Sequence, residues 1–477
     1  MDNAFDVIVL GMGPGGEVAA SRLLDAGRTV AVVERELIGG ECGYWACIPS
    51  KTVLRPVQVA ADAHGTAGVT GTTLDWSDAA AYRDTMIRHL DDSAQVEGYR
   101  ERGAAVFKGA GRITGRTAGR IRVQVDDDEL TADHVILATG TTPMLPELPG
   151  LEDITVWTNR ETYTVRELPR RVVVVGGSAV GVETATFLAG FGVEVTLVQR
   201  SGSLLSREEP RVGELARQHL EAAGVRVLLG VSPARARRET EVDGGHEDGR
   251  EGGDSILVLE STPRDGASPG PATVTEVRAD AVVFATGRIP RTGGLGLDTV
   301  EIEPDGHGAI RIDASCRAAD GVWAIGDVNG VMPFTHVAKY QGRIAADAIL
   351  GTPRTAHYDG IPRVVFGVPD IACVGLTEAQ ATTQGLSVEA VELDVAAALA
   401  RPWTYERDPE GHLGLLADTD RKVLVGAWAI CPEAGEWIHH AALAIRAGLR
   451  LETLRDQVAQ FPTFHEAYLA ALDLFEG

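Results

Sequence analysis

The stretch that decides the fold is residues 7–16, which read Val-Ile-Val-Leu-Gly-Met-Gly-Pro-Gly-Gly. Its four apolar residues predict a buried strand, and the amphipathic stretch after the glycines predicts a helix. A second apolar strand follows and ends at Glu34. The glycines allow a tight turn and let backbone N–H groups approach a pyrophosphate at the helix N-terminus. They are Gly11, Gly13 and Gly16. The segment is therefore predicted to be a strand–turn–helix–strand unit that binds a dinucleotide.

The chain repeats this unit. Residues 172–181 read Val-Val-Val-Val-Gly-Gly-Ser-Ala-Val-Gly, and the strand after the next helix ends at Gln199. The first glycine and the strand end lie 23 positions apart in both copies. Each copy is followed by a strand that ends in Ala-Thr-Gly, at residues 138–140 and 285–287. Two copies at equal spacing predict two dinucleotide-binding domains. The further residues predicted to contact the dinucleotides are Thr139, Gly140, Gly176, Ser178, Gly181 and Gly287.

The two copies differ where the second strand ends. Glu34 offers a carboxylate to a ribose diol, as an unphosphorylated adenosine ribose requires. The second copy has Gln199 there, with Arg200 beside it and Arg207 downstream. An acid would repel a 2′-phosphate, whereas Arg binds it. The sequence therefore predicts FAD in the first site and NADPH in the second, with NADH as the alternative.

Composition excludes several classes of protein. The 477 residues include 44 Lys plus Arg and 68 Asp plus Glu, for a net charge of −24, which argues against nucleic acid or an anionic membrane as the main partner. No apolar run approaches the ~18 residues of a spanning helix, and no basic region precedes the first strand, so a cytoplasmic protein is predicted. Five cysteines are too few for a disulfide scaffold. Three are predicted to be buried structural thiols: Cys316, Cys373 and Cys431.

The other two cysteines lie in residues 39–51, Gly-Gly-Glu-Cys-Gly-Tyr-Trp-Ala-Cys-Ile-Pro-Ser-Lys. Five residues of a regular helix rise about 7.5 Å, so a bond between Cys42 and Cys47 requires a distorted first turn. A cysteine at a helix N-terminus has its thiolate stabilised by the helix dipole. Lys51 lies one turn after Cys47 on the same helical face. Because the chain has Lys at only four positions, this ammonium is predicted to serve the thiol pair.

Together these motifs resemble the pyridine nucleotide-disulfide oxidoreductases, which include dihydrolipoamide dehydrogenase, glutathione reductase, mycothione reductase and mercuric reductase. Residues 320–327, Asp-Gly-Val-Trp-Ala-Ile-Gly-Asp, and 335–339, Thr-His-Val-Ala-Lys, add to the resemblance, which covers essentially the whole chain. It implies an α/β fold with two Rossmann-like domains, for FAD and NAD(P), and a C-terminal α+β dimerisation domain. It also implies a homodimer that acts on a small molecule. The implied segments are 1–150 for the first part of the FAD-binding domain, 151–287 for the NAD(P)H-binding domain, 288–355 for the central return to the FAD side, and 356–477 for the dimerisation domain.

The resemblance also implies roles for individual residues. Cys47 would be the thiol beside the flavin that forms the charge-transfer thiolate, and Cys42 would be the interchange thiol that faces the substrate. Lys51 would contact the flavin and pair with Glu183. Asp327 would bind the ribityl chain of FAD. The remaining implied cofactor residues are Gly40, Arg288 and Gly326.

The family pattern breaks near the C-terminus. Members usually carry His-Pro-Thr and then Glu, where the His is the acid–base of the partner subunit's interchange thiol and the Glu orients it. Residues 461–466 read Phe-Pro-Thr-Phe-His-Glu, and the phenyl ring of Phe461 can neither accept nor donate a proton. Without a base, Cys42 is expected to attack a disulfide more slowly. His465 is one candidate substitute, and Glu466 is either catalytic or part of a capping box with Thr463.

Three functions of this kind stay open from the sequence. In the first, a Cys42–Cys47 dithiol reduces a disulfide or another small electrophile that needs little proton delivery. The second is mercuric-reductase-like, because residues 207–210 resemble a segment of that enzyme, although residues 473–477 lack its paired cysteines. The third is similar to 2-ketopropyl-coenzyme M oxidoreductase/carboxylase, where Phe also replaces the His, but Glu466 is retained here. A quinone reductase that uses the flavin alone is the alternative from another class.

No metal site is predicted. Residues 239–254, rich in Glu, Asp and Gly, are predicted to form a solvated hairpin loop.

Overall fold

The chain is a mixed α/β protein, as the sequence predicts. The computed structural model describes residues 3–239, 254–262 and 274–475. The hairpin loop predicted at 239–254 lies outside the described residues, apart from its two ends. The strands are β1 Ala4–Leu10, β2 Val30–Glu34, β3 Ala105–Lys108, β4 Gly111–Thr117, β5 Arg120–Val125, β6 Asp128–Leu137, β7 Thr141–Pro143, β8 Val156–Trp157, β9 Arg171–Val175, β10 Glu194–Gln199, β11 Arg226–Leu229, β12 Val231–Arg238, β13 Ser255–Ser261, β14 Val274–Ala279, β15 Ala281–Phe284, β16 Arg288–Pro290, β17 Arg317–Ala319, β18 Val322–Ala324, β19 Pro362–Val365, β20 Asp370–Gly375, β21 Val388–Asp394, β22 His412–Asp418 and β23 Val423–Cys431.

The helices follow the strands in the alternation that the two repeats predict. Within the described ranges, no helix is both long and apolar enough to cross a bilayer. The α-helices are α1 Pro14–Asp25, α2 Gly40–Tyr44, α3 Cys47–Gly65, α4 Trp76–Met86, α5 Ser93–Glu101, α6 Asn159–Thr164, α7 Ala179–Gly190, α8 Pro210–Ala222, α9 Thr335–Ile349, α10 Glu378–Thr383, α11 Val395–Ala398, α12 Arg401–Tyr405, α13 Ala434–Trp437, α14 His439–Ala447, α15 Leu451–Arg455 and α16 Glu466–Leu472. Short 3₁₀ helices cover Arg88–Leu90, Leu151–Asp153, Leu297–Val300 and Gly326–Asn329.

The chain divides into two units, each assembled from three separate stretches. The first unit contains Met1–Pro49, Ala81–Met144 and Arg288–His357. The second contains Ser50–Ala80, Leu145–Gly287 and Tyr358–Gly477. The domain boundaries drawn from the sequence, after 150, 287 and 355, stay a prediction.

The first unit is built on a sheet with the order β17-β18-β6-β1-β2-β3. Strand β1 pairs in parallel with both β2 and β6. Ile8 and Leu10 pack into one apolar cluster, and Val7 and Val9 pack into another. A parallel strand that is buried on both faces needs an unbroken apolar run, which explains the composition of β1. The first strand–turn–helix–strand unit therefore forms as predicted.

The second unit contains a parallel sheet with the order β11-β10-β9-β15-β8. Val172 and Val174 of β9 face one apolar cluster, and Val173 and Val175 face another. Residues 362–431 form an antiparallel sheet with the order β19-β20-β23-β22-β21, and helices α13–α16 follow it. Strands followed by helices make this C-terminal part α+β, as predicted.

Candidate active site: a thiol pair and two nucleotide-binding turns

Cys42 and Cys47 lie on two separate helices of the first unit. Cys42 is in α2, two residues intervene between α2 and α3, and Cys47 is the first residue of α3. This break supplies the distortion that a five-residue spacing requires for close approach of the sulfurs. Gly40 has φ +60°, and a Cβ there would lie 2.7 Å from the Cα of Gly13. The turn that carries the thiols therefore packs directly on the first Gly-rich turn.

The two sulfurs interact with each other and with Thr335. Cys47 Sγ lies 3.3 Å from the Thr335 hydroxyl, and Cys42 hydrogen-bonds to Cys47 and to the same hydroxyl. The hydrogen bond to Cys47 is the main cause that raises the pKa of Cys42, and burial and repulsion by the Cys47 thiolate raise it further. The N-terminus of α3 stabilises a thiolate on Cys47. The Cys42 thiol is therefore held in its protonated form beside the N-terminus of α3.

Thr335 is a site residue that the sequence reasoning missed. It begins α9, whose N-terminus has no side-chain cap, and its hydroxyl can donate to a thiolate. Residues 335–339 drew attention only as part of a resemblance, because nothing in their order shows that a hydroxyl there reaches a sulfur 288 positions away.

Lys51 and Glu183 come together in the second unit. Lys51 Nζ lies 2.6 Å from Glu183 Oε2, and Glu183 Oε1 accepts the backbone N–H of Phe366 at 3.0 Å. The ammonium also lies 4.8 Å from the centroid of the Phe366 ring. Glu183 is buried on α7, so its charge is balanced by the ammonium and the N–H. The pair fixes the direction of the Lys51 side chain.

The first Gly-rich turn fits the pyrophosphate and ribose of FAD. No side chain caps α1 at Gly13, and a Cβ there would meet nothing within 4 Å, which leaves space at the helix N-terminus. A Cβ at Gly16 would lie 2.1 Å from the carbonyl oxygen of Gly11, so this turn tolerates no larger residue. Glu34 is buried and accepts the backbone N–H groups of Met12 at 2.7 Å and Glu36 at 2.8 Å. Burial raises the pKa of Glu34.

A polar cluster in the same unit surrounds Asp327. Its carboxylate accepts the Thr141 hydroxyl at 3.0 Å, and the Arg288 guanidinium donates to that hydroxyl at 2.7 Å. Arg288 also lies 3.4 Å from Glu41. Burial raises the pKa of Asp327, although the Thr141 hydrogen bond and the Arg288 charge oppose the rise. Gly326 donates its N–H to Gln341 at 2.7 Å and so fixes the backbone that carries Asp327.

The strand-end residues of the first unit are also held in place. The Thr139 hydroxyl donates to the carbonyl oxygen of Arg291 at 2.8 Å, and the carbonyl oxygen of Gly140 accepts the Arg291 N–H at 2.9 Å. Thr141 and Glu41 belong to this polar cluster and were not singled out from the sequence. The sequence offered one signal for Glu41, because it is a charged residue next to Cys42.

The second Gly-rich turn is closed by its own side chains. Ser178 is the N-cap residue of α7; its hydroxyl accepts the Gly181 N–H at 3.4 Å and donates to the carbonyl oxygen of Ala285 at 3.0 Å. Gln199 accepts the Gly177 N–H at 3.1 Å. Two of the predicted glycines sit against backbone: a Cβ at Gly176 would lie 2.5 Å from Ala285 O, and one at Gly181 would lie 1.8 Å from Gly176 O. Gly287 ends this stretch with φ +136°.

Arg200 and Arg207 lie on the loop between β10 and α8. Both side chains are exposed, and in the part of the chain that the structure describes neither forms an ion pair. Two exposed guanidinium groups near the second Gly-rich turn suit an anionic ligand group.

The C-terminal segment presents a phenyl ring to solvent. Phe461 is 74% exposed. Glu466 accepts the backbone N–H of Thr463 at 3.1 Å, whereas the Thr463 hydroxyl donates to Gln460 O at 2.7 Å. Only half of the predicted capping box therefore forms, because the hydroxyl finds an earlier carbonyl and α16 begins at Glu466 itself. The His465 ring packs edge-on against His440, with 6.2 Å between the ring centroids.

These features together define a flavin- and nicotinamide-dependent oxidoreductase with a thiol pair. Residues 5–342 match the family described as pyridine nucleotide-disulphide oxidoreductase, and residues 361–472 match the dimerisation domain of that family. The chain therefore belongs to the pyridine nucleotide-disulphide oxidoreductase family, whose members depend on FAD and take electrons from NAD(P)H. It is an NAD(P)H-dependent oxidoreductase.

The proteins that this chain resembles have different activities. The dihydrolipoyl dehydrogenase of Halobacterium salinarum is 31% identical over 98% of this chain and 95% of its own length. The mercuric reductase of Shigella flexneri is 30% identical over 99% of this chain and 81% of its own length. The Cu(II) complex of the HOCl-induced flavoprotein disulfide reductase RclA from Escherichia coli aligns with a TM-score of 0.82 and 25% identity, over 98% of this chain and 100% of that one.

Proposed function

We propose that the chain passes a hydride from NADPH, by way of FAD, to a Cys42–Cys47 disulfide. The dithiol so formed reduces a small electrophile that needs little proton delivery from the protein. The observation that carries this proposal is the thiol pair itself: Cys47 begins α3, and both sulfurs contact the Thr335 hydroxyl.

Bound FAD supplies the two-electron transfer between the nicotinamide and the disulfide. When the Cys42–Cys47 bond takes two electrons and one proton, together the equivalent of the hydride given by NADPH, it breaks and leaves a thiolate on Cys47 and a thiol on Cys42. With a disulfide substrate, the Cys42 sulfur attacks one substrate sulfur and the first substrate thiol leaves. The Cys47 thiolate then attacks the Cys42 sulfur, and the second half of the substrate leaves as a thiolate, which takes its proton from solvent as the enzyme disulfide re-forms. Thr335 stabilises the thiolate on Cys47, and Glu183 holds the Lys51 ammonium in one direction.

Phe461 limits which substrates this dithiol can serve. In a disulfide exchange, the departing thiolates need protons, and a phenyl ring supplies none. Glu466 is engaged with the Thr463 N–H, and the His465 ring packs against His440. These contacts support a substrate that carries its own acid or whose product needs no proton.

A thiophilic metal ion is the second candidate substrate. A dithiol that closes to a disulfide releases two electrons, enough to reduce one Hg²⁺ to the metal or two Cu²⁺ to Cu⁺. Neither product takes up a proton, which suits a chain with Phe461 in place of a base. The similarity to a mercuric reductase and to a flavoprotein disulfide reductase that binds Cu(II) supports this candidate. The described residues contain no group of three or more His, Cys, Asp or Glu side chains that could hold a metal ion. The metal ion would therefore meet the protein at the dithiol, as a substrate.

The coenzyme preference and the assembly complete the proposal. Arg200 and Arg207 support NADPH over NADH because both are exposed and near the second turn. The dimerisation domain supports a homodimer, which would bring the exposed Phe461 of one subunit to the other subunit. Light scattering of the purified protein tests the assembly, and a monomer would remove Phe461 from the argument.

Anaerobic titration with NADPH tests the dithiol. We expect a long-wavelength charge-transfer band in the wild type and its loss in Cys47→Ser, because serine has no thiol that could form the thiolate. Cys316→Ser is the matched control, since that buried thiol is not a member of the pair and its loss should leave the band intact. Simple two-electron bleaching that is the same in the wild type and Cys47→Ser would favour the quinone reductase instead.

Substitution of Phe461 by His tests the missing base. A positioned acid–base contributes about 10²–10⁴-fold to a proton transfer, and we expect F461H to recover a measurable part of that with small disulfides. Phe461→Leu is the control that removes the ring without adding a base. Unchanged rates in both variants, over a panel of disulfides, would mean that proton delivery does not limit this enzyme. Rates with Hg²⁺ or Cu²⁺ should be the same in all three proteins.

A further inference from the structure

A partly buried ion pair ties the loop after β10 to the C-terminal sheet. Arg363 on β19 donates to Glu208 through two parallel bonds, Nε to Oε1 at 2.8 Å and a terminal nitrogen to Oε2 at 2.7 Å. The two side chains are only 20% and 14% exposed. Bidentate guanidinium–carboxylate pairs in low-dielectric surroundings fix geometry as well as charge. Glu208 is therefore held in one place relative to the C-terminal sheet.

Further contacts reinforce this attachment from the same side. The Cys373 thiol on β20 hydrogen-bonds to Glu208, and burial raises the pKa of that thiol, so it stays protonated and donates. Glu209 accepts the backbone N–H of Glu378, which opens α10. Residues 208 and 209, which drew attention in the sequence only as part of Arg-Glu-Glu-Pro, thus join the nucleotide-binding part of the second unit to its C-terminal sheet.

The other end of the same loop is held by the nucleotide-binding turn. The Leu205 N–H donates to the carbonyl oxygen of Gly177 at 2.8 Å, and the Leu204 side chain is fully buried. Gln199 donates to the carbonyl oxygen of Ser203 at 3.3 Å. Arg207 lies between these two anchors, two residues from Leu205 and one from Glu208, with its own side chain exposed.

We propose that Glu208 and Arg363 are positioning residues for the coenzyme: they hold the backbone at Arg207 so that its guanidinium meets the 2′-phosphate of NADPH. The inference rests on the proposed NADPH preference. It goes further because it assigns part of coenzyme selectivity to the C-terminal sheet, where Arg363 lies outside both Gly-rich turns. The physical reason is pre-organisation. A loop anchored at both ends loses little conformational entropy when the coenzyme binds, whereas a loop freed at one end loses more, which weakens binding.

The test compares E208Q and R363Q with R207Q and with one matched control, R211Q. The Arg211–Glu392 pair at 3.0 Å also joins the nucleotide-binding part to the C-terminal sheet, but it lies beyond the loop and is exposed to 36% and 39%. The readouts are the KM values for NADPH and NADH in flavin reduction by the holoenzyme, and calorimetric binding of adenosine 2′,5′-bisphosphate against AMP.

We expect E208Q and R363Q to lower the affinity for NADPH and adenosine 2′,5′-bisphosphate about fivefold, which corresponds to the entropy lost when a few side chains become ordered. The affinity for NADH and AMP should be unchanged. R211Q should change neither. R207Q/R363Q should be no weaker than R207Q alone, because Arg363 acts through Arg207. R363K, which keeps the charge without the fork, should behave as R363Q and stands in for it if R363Q does not fold.

The two proposals fail in different ways. If R207Q and R200Q leave NADPH binding unchanged, the NADPH preference itself is wrong. If R207Q weakens the 2′-phosphorylated ligands but E208Q and R363K do not, the coenzyme preference stands and the positioning role is wrong. Equal weakening of NADPH and NADH in R363K would also overturn it, since that pattern means general damage to the second unit.

Discussion

Gly13 and Ser178 occupy the same position in the two Gly-rich turns and share one backbone conformation. Their φ and ψ angles are −71° and −178° for Gly13, and −78° and 175° for Ser178. Glu34 and Gln199 likewise accept the same backbone N–H of each turn, from Met12 at 2.7 Å and from Gly177 at 3.1 Å. The first turn thus has an open helix N-terminus and a charged acceptor, whereas the second has a capped helix and a neutral one. The two turns therefore share a backbone and differ in their side chains, which is where the proposed assignment of FAD and NADPH can be tested.

Exchange of the strand-end residues is the strongest way to break this comparison. In Gln199→Glu, a carboxylate faces the 2′-phosphate, and like charges in contact cost several kcal/mol, so NADPH affinity should fall about 100-fold relative to NADH. Stopped-flow flavin reduction with each coenzyme gives the ratio. Glu34→Gln is the mirror change and should weaken FAD about tenfold through loss of one charge-assisted hydrogen bond. An unchanged coenzyme ratio in Gln199→Glu would mean that the second turn does not read the 2′ position.

Exchange of the helix-capping residues should have a smaller effect. Gly13→Ser should fold, because Ser178 shows that this backbone accepts a serine and a Cβ at Gly13 meets nothing within 4 Å. Its hydroxyl would engage the N–H of Gly16 and weaken FAD retention by about 1 kcal/mol, the value of one hydrogen bond. The ratio of flavin to protein absorbance after gel filtration measures retention. Ser178→Gly is the converse variant, and tighter FAD binding in Gly13→Ser would contradict the role given to the open N-terminus.

The smallest expected difference between the turns is their response to pH. Burial raises the pKa of Glu34 above its ordinary value of 4.5, so Glu34 takes up its proton at a higher pH than an exposed Glu does. The protonated carboxyl is a weaker acceptor for ribose hydroxyls, so FAD affinity should fall as the pH drops through that raised pKa. Glu34→Gln does not titrate and should lose this dependence. The measurement is the fluorescence of the FAD that dissociates from the protein as the pH is lowered from neutral to about 5. Parallel curves for the two proteins would assign the titration to another group.

The sequence predicted the repeated parts of the fold well because local pattern decides them. An unbroken Val-rich run can be satisfied only by a strand that is buried on both faces, and equal spacing in the two copies marks one architecture. Local pattern also predicted that the C-terminal part consists of strands followed by helices. The cysteine segment was also readable, since a five-residue spacing cannot close in a regular helix, and the structure breaks the helix between Cys42 and Cys47.

The polar partners were much harder to predict. Thr335 reaches Cys47, and Arg363 reaches Glu208, across 288 and 155 positions of the chain. No periodicity encodes such a contact, because it depends on how separate elements pack. The capping box at Thr463 shows the same limit at short range: the motif is present, but the hydroxyl bonds to Gln460 instead of to the helix.

The sequence by itself determined which backbone is built and which chemical groups it carries: two Gly-rich turns, a pair of cysteines, and a phenyl ring at position 461. Only the tertiary structure decided which groups act on one another. It placed the Thr335 hydroxyl on the thiols, and it held the loop of Arg207 between the second turn and the C-terminal sheet. The physical reason is that hydrogen-bond periodicity and apolar burial are local properties of the chain, whereas side-chain hydrogen bonds and ion pairs form only after distant segments pack together.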